Sequence, residues 1–135
     1  MFVEDIKYCV DLFERKRLPT KEVIVGNIVM GGENPICIQS MTTTDTMNTE
    51  LSVAQSIRMI TAGCEVVRLT APSKKEAENL REIKKQLRGA GYSAPLVADI
   101  HFTPNAAEIA ATIVEKVRVN PGNYADKKKF EEINY

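Results

Sequence analysis

Four short, largely apolar segments that recur along the sequence constrain the fold of this 135-residue chain more than any other feature. They are predicted strands, and continuous apolar character of this kind is typical of parallel strands that are buried on both faces. The stretches between them are long enough to hold crossover helices, as parallel pairing requires. The predicted strands cover residues 36–41, 65–70, 95–100 and 116–121.

The three stretches between these strands have helical periodicity and recognisable ends. The first helix is predicted from about residue 48 to residue 62. The second opens with the capping box Ser73-Lys74-Lys75-Glu76, and the third opens with Thr103-Pro104, a capping residue followed by proline at the first helical position. The apolar positions are Leu51, Ala54 and Ile57, predicted to face inward on the first helix; Ala77, Leu80, Ile83 and Leu87 on the second; and Ala106, Ala107, Ile109, Ala110, Ile113 and Val114 on the third.

Further elements are predicted on both sides of this repeat. Residues 4 to about 17 carry one apolar stripe and are predicted to be helical. Two β-branched runs within residues 22–32 flank Gly26-Asn27, which predicts a hairpin with a two-residue turn, suited to plug one end of a barrel. The residues after Asp126 are predicted to begin another helix.

This order of elements fits either an open doubly wound sheet or part of a (β/α)₈ barrel. The regular repeat and the polar residues that end each strand favour the barrel. Because a complete barrel needs about 250 residues, we interpret residues 1–135 as the N-terminal half of a TIM barrel in an α/β fold, preceded by a helix and a hairpin. Four strands leave two open edges, so we expect further chain or a partner to cover them.

Charge and composition exclude several classes of partner. Eighteen basic residues balance eighteen acidic ones, so there is no general attraction to nucleic acid or to an anionic membrane. No apolar run reaches the length of a membrane span and no secretory signal is present, which predicts a cytoplasmic protein. Cys9, Cys37 and Cys64 have neither disulfide-type nor zinc-type spacing, so each is predicted to be a buried small hydrophobe rather than a metal ligand.

Polar side chains lie at the ends of the predicted strands. Asp99 and His101 are two residues apart, so they are predicted to point to the same face. Arg68 and Arg118 occupy matching places, and two guanidiniums at one mouth suit a ligand with more than one anionic group. The other candidates are Gln39, Ser40 and Thr42 after the first strand, and Asn120 and Asn123 in the turn after the fourth.

A purely structural interpretation of the same residues stays open. Arg68 can pair with Asp99, and Arg118 with Glu115 or Asp126, in ion pairs that serve only the fold. The acidic residue of the third strand can instead cap the helix that follows, and the single histidine of the chain can be an ordinary residue near the surface.

Several short motifs, taken in order, resemble one known family. They are similar to the N-terminal region of the 4-hydroxy-3-methylbut-2-enyl diphosphate synthases, which belong to the non-mevalonate isoprenoid pathway. The resemblance extends over about residues 17 to 128, and the combination of motifs is specific. The motifs are Gln39-Ser40-Met41-Thr42 with Thr44-Asp45-Thr46, Val66-Val67-Arg68, Val97-Ala98-Asp99-Ile100-His101-Phe102, and Arg118-Val119-Asn120-Pro121-Gly122-Asn123.

The resemblance implies a barrel that binds 2-C-methyl-D-erythritol 2,4-cyclodiphosphate, whose ring is opened and reduced by two electrons to a linear allylic diphosphate. It implies a [4Fe–4S] cluster on three cysteines and a glutamate of a separate C-terminal domain, with ferredoxin or flavodoxin as electron donor. It also implies a homodimer in which one subunit's cluster domain closes over the other's barrel. By motif match, Arg68 and Arg118 hold the diphosphate; Asp99 and His101, the candidate catalytic residues, line the pocket with Asn120 and Asn123; and Gln39 and Thr42 lie beside it.

The cysteines of this chain do not match the cluster ligands of that family. Cys9 falls on the predicted leading helix, and Cys37 and Cys64 fall at or near strand starts, opposite the expected mouth. We therefore expect the segment to be inactive on its own. Two alternatives are a barrel transferase of the pterin-binding type, for which a different loop is expected after the first strand, and a non-catalytic fragment with a vestigial anion site.

Overall fold

The computed structural model describes residues 11–124, in which a hairpin is followed by alternating strands and helices. The predicted alternation of strands and helices is confirmed. No helix in this part of the chain is long and apolar enough to cross a lipid bilayer. The elements are β1 (Val23–Val25), β2 (Ile28–Met30), β3 (Gln39–Met41), α1 (Thr49–Thr61), β4 (Val66–Ala71), α2 (Lys74–Gly89), β5 (Leu96–Ile100), α3 (Pro104–Ala111) and β6 (Lys116–Arg118).

The order of strands in the main sheet decides between the two predicted architectures. Strands β3, β4, β5 and β6 pair in parallel and lie side by side in the order of the sequence. Since parallel crossovers are right-handed, successive crossovers in one direction place all their helices on the same face. A doubly wound sheet reverses direction and carries helices on both faces. The chain is therefore an α/β fold that forms part of a TIM barrel.

The side chains of β4 and β5 alternate between two faces of this sheet. Leu69 and Ala98 pack into the core with Leu80 and Ile83 of α2, and all four are fully buried. Residues at the alternate positions, such as Arg68, project from the opposite face, which we call the open face. The helix-facing positions predicted for α2 are confirmed, and they carry the hydrophobic core.

Helix α1 turns a different face to the sheet from the one predicted. Leu51 is 55% exposed, so its predicted inward position is wrong, whereas Ala54 and Ile57 are half-buried. Ser52 and Ser56 are fully buried in its place. Both hydroxyls donate to backbone carbonyls, Ser52 to the preceding loop and Ser56 to the previous turn of the helix, so burial leaves neither unsatisfied.

Two of the predicted strands are shorter in the structure. The first begins at Gln39 rather than at residue 36, because the N–H of Ile38 donates to the Glu65 carboxylate at 2.8 Å rather than to a strand partner. Gln39 therefore lies within the strand and not after it. The fourth ends at Arg118, which pairs with Asp99, because the partner strand β5 itself ends one residue later, at Ile100.

The end of the third helix and the first described residues, 11–17, also differ from the prediction. Helix α3 ends at Ala111, although Ile113 and Val114 are buried as expected. Of the predicted leading helix, residues 4–10 lie outside the described residues, and residues 11–17 are not helical. The Asp11 carboxylate accepts the N–H groups of residues 13 and 14, both at 2.9 Å, and such local bonds compete with a helix. The helix predicted after residue 126 lies outside the described residues.

The predicted hairpin is confirmed, and its turn packs against the amino end of the sheet. Strands β1 and β2 are antiparallel and are joined at Gly26 and Asn27, with Gly26 in the left-handed conformation at φ +59°. A Cβ atom on Gly26 would lie 3.0 Å from the ring of Pro95 and 3.2 Å from the side chain of Glu115. Both neighbours directly precede strands, so the hairpin lies at the end opposite the carboxyl ends of the strands.

Glu115 ties three elements together at this amino end. Its carboxylate accepts hydrogen bonds from the N–H of Leu96 at 2.8 Å, from Lys84 Nζ at 2.8 Å and from Arg88 Nη2 at 3.0 Å. Burial raises the pKa of Glu115, but the bonds from Leu96 and Lys84 outweigh burial and hold the pKa below its ordinary value of 4.5. The charged form is therefore the one that the fold stabilises.

We predict that Glu115→Gln lowers the free energy of unfolding at pH 7 by about 1.5–3 kcal/mol, as expected for hydrogen bonds to a charged group. Because the folded-state pKa lies below the unfolded value, this stabilisation is complete above about pH 4.5 and is lost as the pH falls through the folded-state pKa. Urea unfolding between pH 7 and pH 3 should show the difference from wild type shrinking in acid. Glu78→Gln, at an exposed position on α2, is the control and should change little. A difference that stays constant with pH contradicts the assignment.

Because α1 turns Leu51 outward, truncation of Leu51 should cost much less stability than truncation of the buried Leu80 on α2. Leu80→Ala removes a fully buried side chain and should lower the free energy of unfolding by about 2–5 kcal/mol. Leu51→Ala should change it by no more than about 0.5 kcal/mol, because Leu51 is mostly exposed. Equilibrium denaturation of both variants checks this. A large loss of stability for Leu51→Ala would instead support the predicted orientation of α1, with Leu51 facing inward.

Candidate functional site

The sheet register brings polar residues of three strands into one row on the open face. Thr70 of β4 lies opposite Asp99 of β5, and Asp99 lies opposite Arg118 of β6. Arg68 lies one side-chain position nearer the amino end of β4, and His101 directly follows β5. These residues form a rim at the carboxyl ends of the strands, where barrel enzymes place their chemistry.

Asp99 is the centre of this rim. Its side chain is only 3% exposed, and its two carboxylate oxygens are shared among three partners. Arg68 Nη2 lies 2.8 Å from Oδ2, Arg118 Nη1 lies 3.1 Å from Oδ1, and His101 Nε2 lies 3.5 Å from Oδ2. The predicted convergence of the two arginines and the histidine is therefore present. One carboxylate faces two permanently charged guanidiniums, which leaves the rim positive.

These contacts also show which of the structural ion pairs form. Arg68 pairs with Asp99, as the structural alternative anticipated. Arg118 does not pair with Glu115, whose carboxylate is occupied by Lys84 and Arg88 at the other end of the sheet. The alternative partner of Arg118, residue 126, lies outside the described residues. Both arginines thus meet on one acid.

Unpartnered buried atoms mark the same rim. Within residues 11–124, the buried side-chain atoms without a hydrogen-bond partner are Thr42 Oγ1, Arg68 Nε and Asn123 Oδ1. Buried polar atoms nearly always have partners, and an unpaired one costs about 1–3 kcal/mol. All three belong to residues predicted for the site, so the fold leaves hydrogen-bonding capacity there for water or a ligand.

The remaining predicted site residues differ in how near they come to Asp99. The N–H of Thr42 donates to the carbonyl of Arg68 at 2.9 Å, which places Thr42 against the rim. Asn120 shapes the turn after β6, because its side chain accepts the N–H of Gly122 at 3.0 Å. Gln39 is exposed and lies opposite Val66, which is two residues nearer the amino end of β4 than Arg68. Gln39 is therefore the one that the fold does not bring to the rim.

Sequence reasoning missed Thr70, Thr46 and Asn79. Thr46 Oγ1 donates to the carbonyl of Thr70 at 2.7 Å and lies 3.3 Å from its hydroxyl, and Asn79 Nδ2 donates to the carbonyl of Thr46 at 2.7 Å. These bonds fix the loop between β3 and α1 over the rim. The alternation that paired Asp99 with His101 also places Thr70 on the face of Arg68, so Thr70 was predictable. Asn79 was not, because its contact depends on how the helices pack.

The two cysteines that the structure describes, Cys37 and Cys64, lie at the other end of the sheet. Cys64 is buried as predicted, but Cys37 is only half-buried, and Cys9 lies outside the described residues. Burial and then the nearby carboxylate of Glu65 raise the pKa of the Cys37 thiol, which disfavours the thiolate that binds metals. Among residues 11–124, no three side chains of His, Cys, Asp or Glu gather to hold a metal. The described residues therefore do not fit an iron–sulfur cluster.

Comparison with known proteins gives the family. Residues 20–134 match the model of the GcpE TIM-barrel domain. The chain belongs to this family. Three similar proteins are all named 4-hydroxy-3-methylbut-2-en-1-yl diphosphate synthase (flavodoxin). They come from Parabacteroides distasonis (57% identity over 124 residues, 91% of this chain and 20% of the relative), Akkermansia muciniphila (53% over 128 residues, 95% and 22%) and Chlorobaculum tepidum (48% over 130 residues, 96% and 17%).

Membership of the GcpE family confirms the resemblance drawn from the motifs. It also decides against the barrel transferase of the pterin-binding type. The chain spans about a fifth of the length of these curated relatives.

The shared carboxylate predicts that Asp99→Asn destabilises the fold, because two guanidiniums would then face each other without a counter-charge. We expect the free energy of unfolding to fall by about 1–3 kcal/mol, less than for a fully buried pair because the arginine side chains are 24% and 37% exposed. Asp45→Asn is the matched control, since an amide oxygen can still accept the N–H of Met47. Chemical denaturation measures both variants, and equal stability of Asp99→Asn and wild type contradicts the prediction.

Proposed function

We propose that this chain is the substrate-binding part of a flavodoxin-dependent 4-hydroxy-3-methylbut-2-en-1-yl diphosphate synthase. Its rim would bind the diphosphate of 2-C-methyl-D-erythritol 2,4-cyclodiphosphate. The reaction opens the ring of this substrate with two electrons and two protons, giving the linear allylic diphosphate and one molecule of water. The names of the relatives support the activity and the choice of flavodoxin over ferredoxin.

The observation that carries the proposal is the pair of guanidiniums on one carboxylate. Asp99 balances only one of the two positive charges of Arg68 and Arg118, so an anion gains from the remaining charge. Arginine binds phosphate oxygens through its planar fork, and the buried Nε of Arg68 still has a proton to donate. A diphosphate carries several anionic oxygens, so it can accept hydrogen bonds from both guanidiniums.

The other residues of the rim have separate roles in this proposal. Asp99 holds both guanidiniums in place, and the hydroxyl of Thr42 and the amide of Asn123 supply further hydrogen bonds to the ligand. His101 faces the ligand beside Asp99 and donates either a hydrogen bond or a proton. Asn120 orders the turn that carries Asn123. Gln39, which lies nearer the amino end of the strands than the rim, would border the pocket without contacting the diphosphate.

The resemblance implies a [4Fe–4S] cluster that supplies the electrons. None of the described residues is a ligand of this cluster in the proposal. In this proposal, the remainder of the intact protein binds the cluster, forms the homodimer and docks flavodoxin. The intact protein is placed in the cytoplasm. The contribution of the described residues is to bind and orient the diphosphate.

The proposal predicts that Arg118→Ala weakens binding of the cyclic diphosphate by about 1.5–3 kcal/mol, or roughly 10- to 150-fold in Kd, the loss typical of a charge-assisted contact. The affinity of Arg118→Lys should lie between those of wild type and Arg118→Ala, because lysine keeps the positive charge but not the planar fork of arginine. Titration calorimetry measures the affinity.

Arg81→Ala, at an exposed position on α2, is the matched control and should bind as wild type does. If the ion pairs serve only the fold, Arg118→Ala will lose stability and keep its affinity, and the proposed role of Arg118 will be wrong.

A further inference from the structure

Phe102 has an unusual backbone conformation at the rim. Among residues 11–124 it is the one residue other than glycine with a positive φ, at +50°. This left-handed conformation brings Cβ too close to the following carbonyl oxygen, and outside glycine it is found mainly at asparagine and aspartate. A phenylalanine there is strained.

The short connection from β5 to α3 explains why the backbone must turn at this point. Only residues 101–103 separate the strand from the helix. Thr103 is kept extended (φ −130°) by Pro104, and its hydroxyl donates to the carbonyl of Pro72 at 3.0 Å. The chain therefore has to reverse at Phe102. Glycine or asparagine would make the same turn with less strain, so the turn alone does not account for the phenyl ring.

The ring carries a second unfavourable feature. Phe102 as a whole residue is 45% exposed, so much of its apolar surface remains in water and burial of the rest does not offset the strain. Phe102 directly follows His101, whose Nε2 lies 3.5 Å from the Asp99 carboxylate that holds both arginines. A strained backbone and an exposed aromatic ring at one position next to a candidate site indicate a functional role for the side chain.

We infer that Phe102 determines substrate specificity by packing its ring against the carbon skeleton of the bound cyclic diphosphate. The inference rests on the proposed function and adds what the arginines do not supply. Guanidiniums recognise the diphosphate group of any diphosphate, whereas an apolar ring recognises the carbon atoms attached to it. Binding buries the ring, and this gain compensates for the strain.

The test compares two ligands, 2-C-methyl-D-erythritol 2,4-cyclodiphosphate and inorganic pyrophosphate, which lacks carbon. Phe102→Asn should weaken binding of the cyclic diphosphate about tenfold and leave pyrophosphate binding unchanged. Arg118→Ala should weaken both. Phe102→Tyr keeps the ring and should bind both ligands as wild type does. Phe102→Asn should also raise the thermal midpoint by roughly 2–6 °C, because asparagine tolerates the left-handed conformation.

Phe13→Asn is the matched control, since Phe13 is 96% exposed and does not have a positive φ. Neither its midpoint nor its affinities should change. Unchanged affinity of Phe102→Asn for the cyclic diphosphate overturns the inference, and so does an equal loss for both ligands. A lower midpoint for Phe102→Asn overturns the argument from strain. Failure of the wild-type protein to bind the cyclic diphosphate overturns the proposed function itself, together with this inference.

Discussion

The carboxylate that Arg68 and Arg118 share is the interaction on which the rest of the site depends. Asp99 is almost fully buried, and a buried carboxylate without partners would be strongly unfavourable. Its two oxygens take one guanidinium from β4 and one from β6, so the contact spans three neighbouring strands. Because each arginine depends on the same acid, neither can move away without leaving a buried charge poorly compensated. The arrangement fixes the relative positions of two cations at the carboxyl end of the sheet.

The opposite end of the sheet uses the same chemistry for a different purpose. Glu115 also gathers two cations, Lys84 and Arg88, but it accepts the N–H of Leu96 as well, and the hairpin turn covers it. Its hydrogen-bonding capacity is filled by the fold. At the Asp99 end, the nitrogen Arg68 Nε and two other polar atoms have no partner among residues 11–124. The two ends of the sheet therefore differ in the way expected for a barrel, in which the amino end serves stability and the carboxyl end serves the chemistry.

The sequence was enough to predict the features that depend on local periodicity. Alternation in a strand placed Asp99 and His101 together, and helical spacing gave the buried face of α2. The prediction failed where a side chain replaced a backbone partner: the Glu65 carboxylate shortens β3, and Asp11 takes N–H groups that a helix would use. The prediction failed again on α1, because burial of Ser52 depends on a hydrogen bond to the Asp45 carbonyl in the loop before the helix. The sharing of Asp99 by two arginines depends on strand register, which periodicity does not give.

In the proposed function, a diphosphate that enters this rim meets arginines that Asp99 already holds together. In a flexible site, the ligand has to order two long side chains and bring their charges together, at a cost of about 0.5–1.5 kcal/mol for each side chain. Here Asp99 orders both arginine side chains and brings their charges together during folding. The hydrogen bonds of Thr46 and Asn79 also fix the neighbouring β3–α1 loop. The interaction energy of the ligand is therefore available for affinity rather than for ordering the protein. Loss of Asp99 should for this reason impair binding even though it removes a negative charge from an anion site.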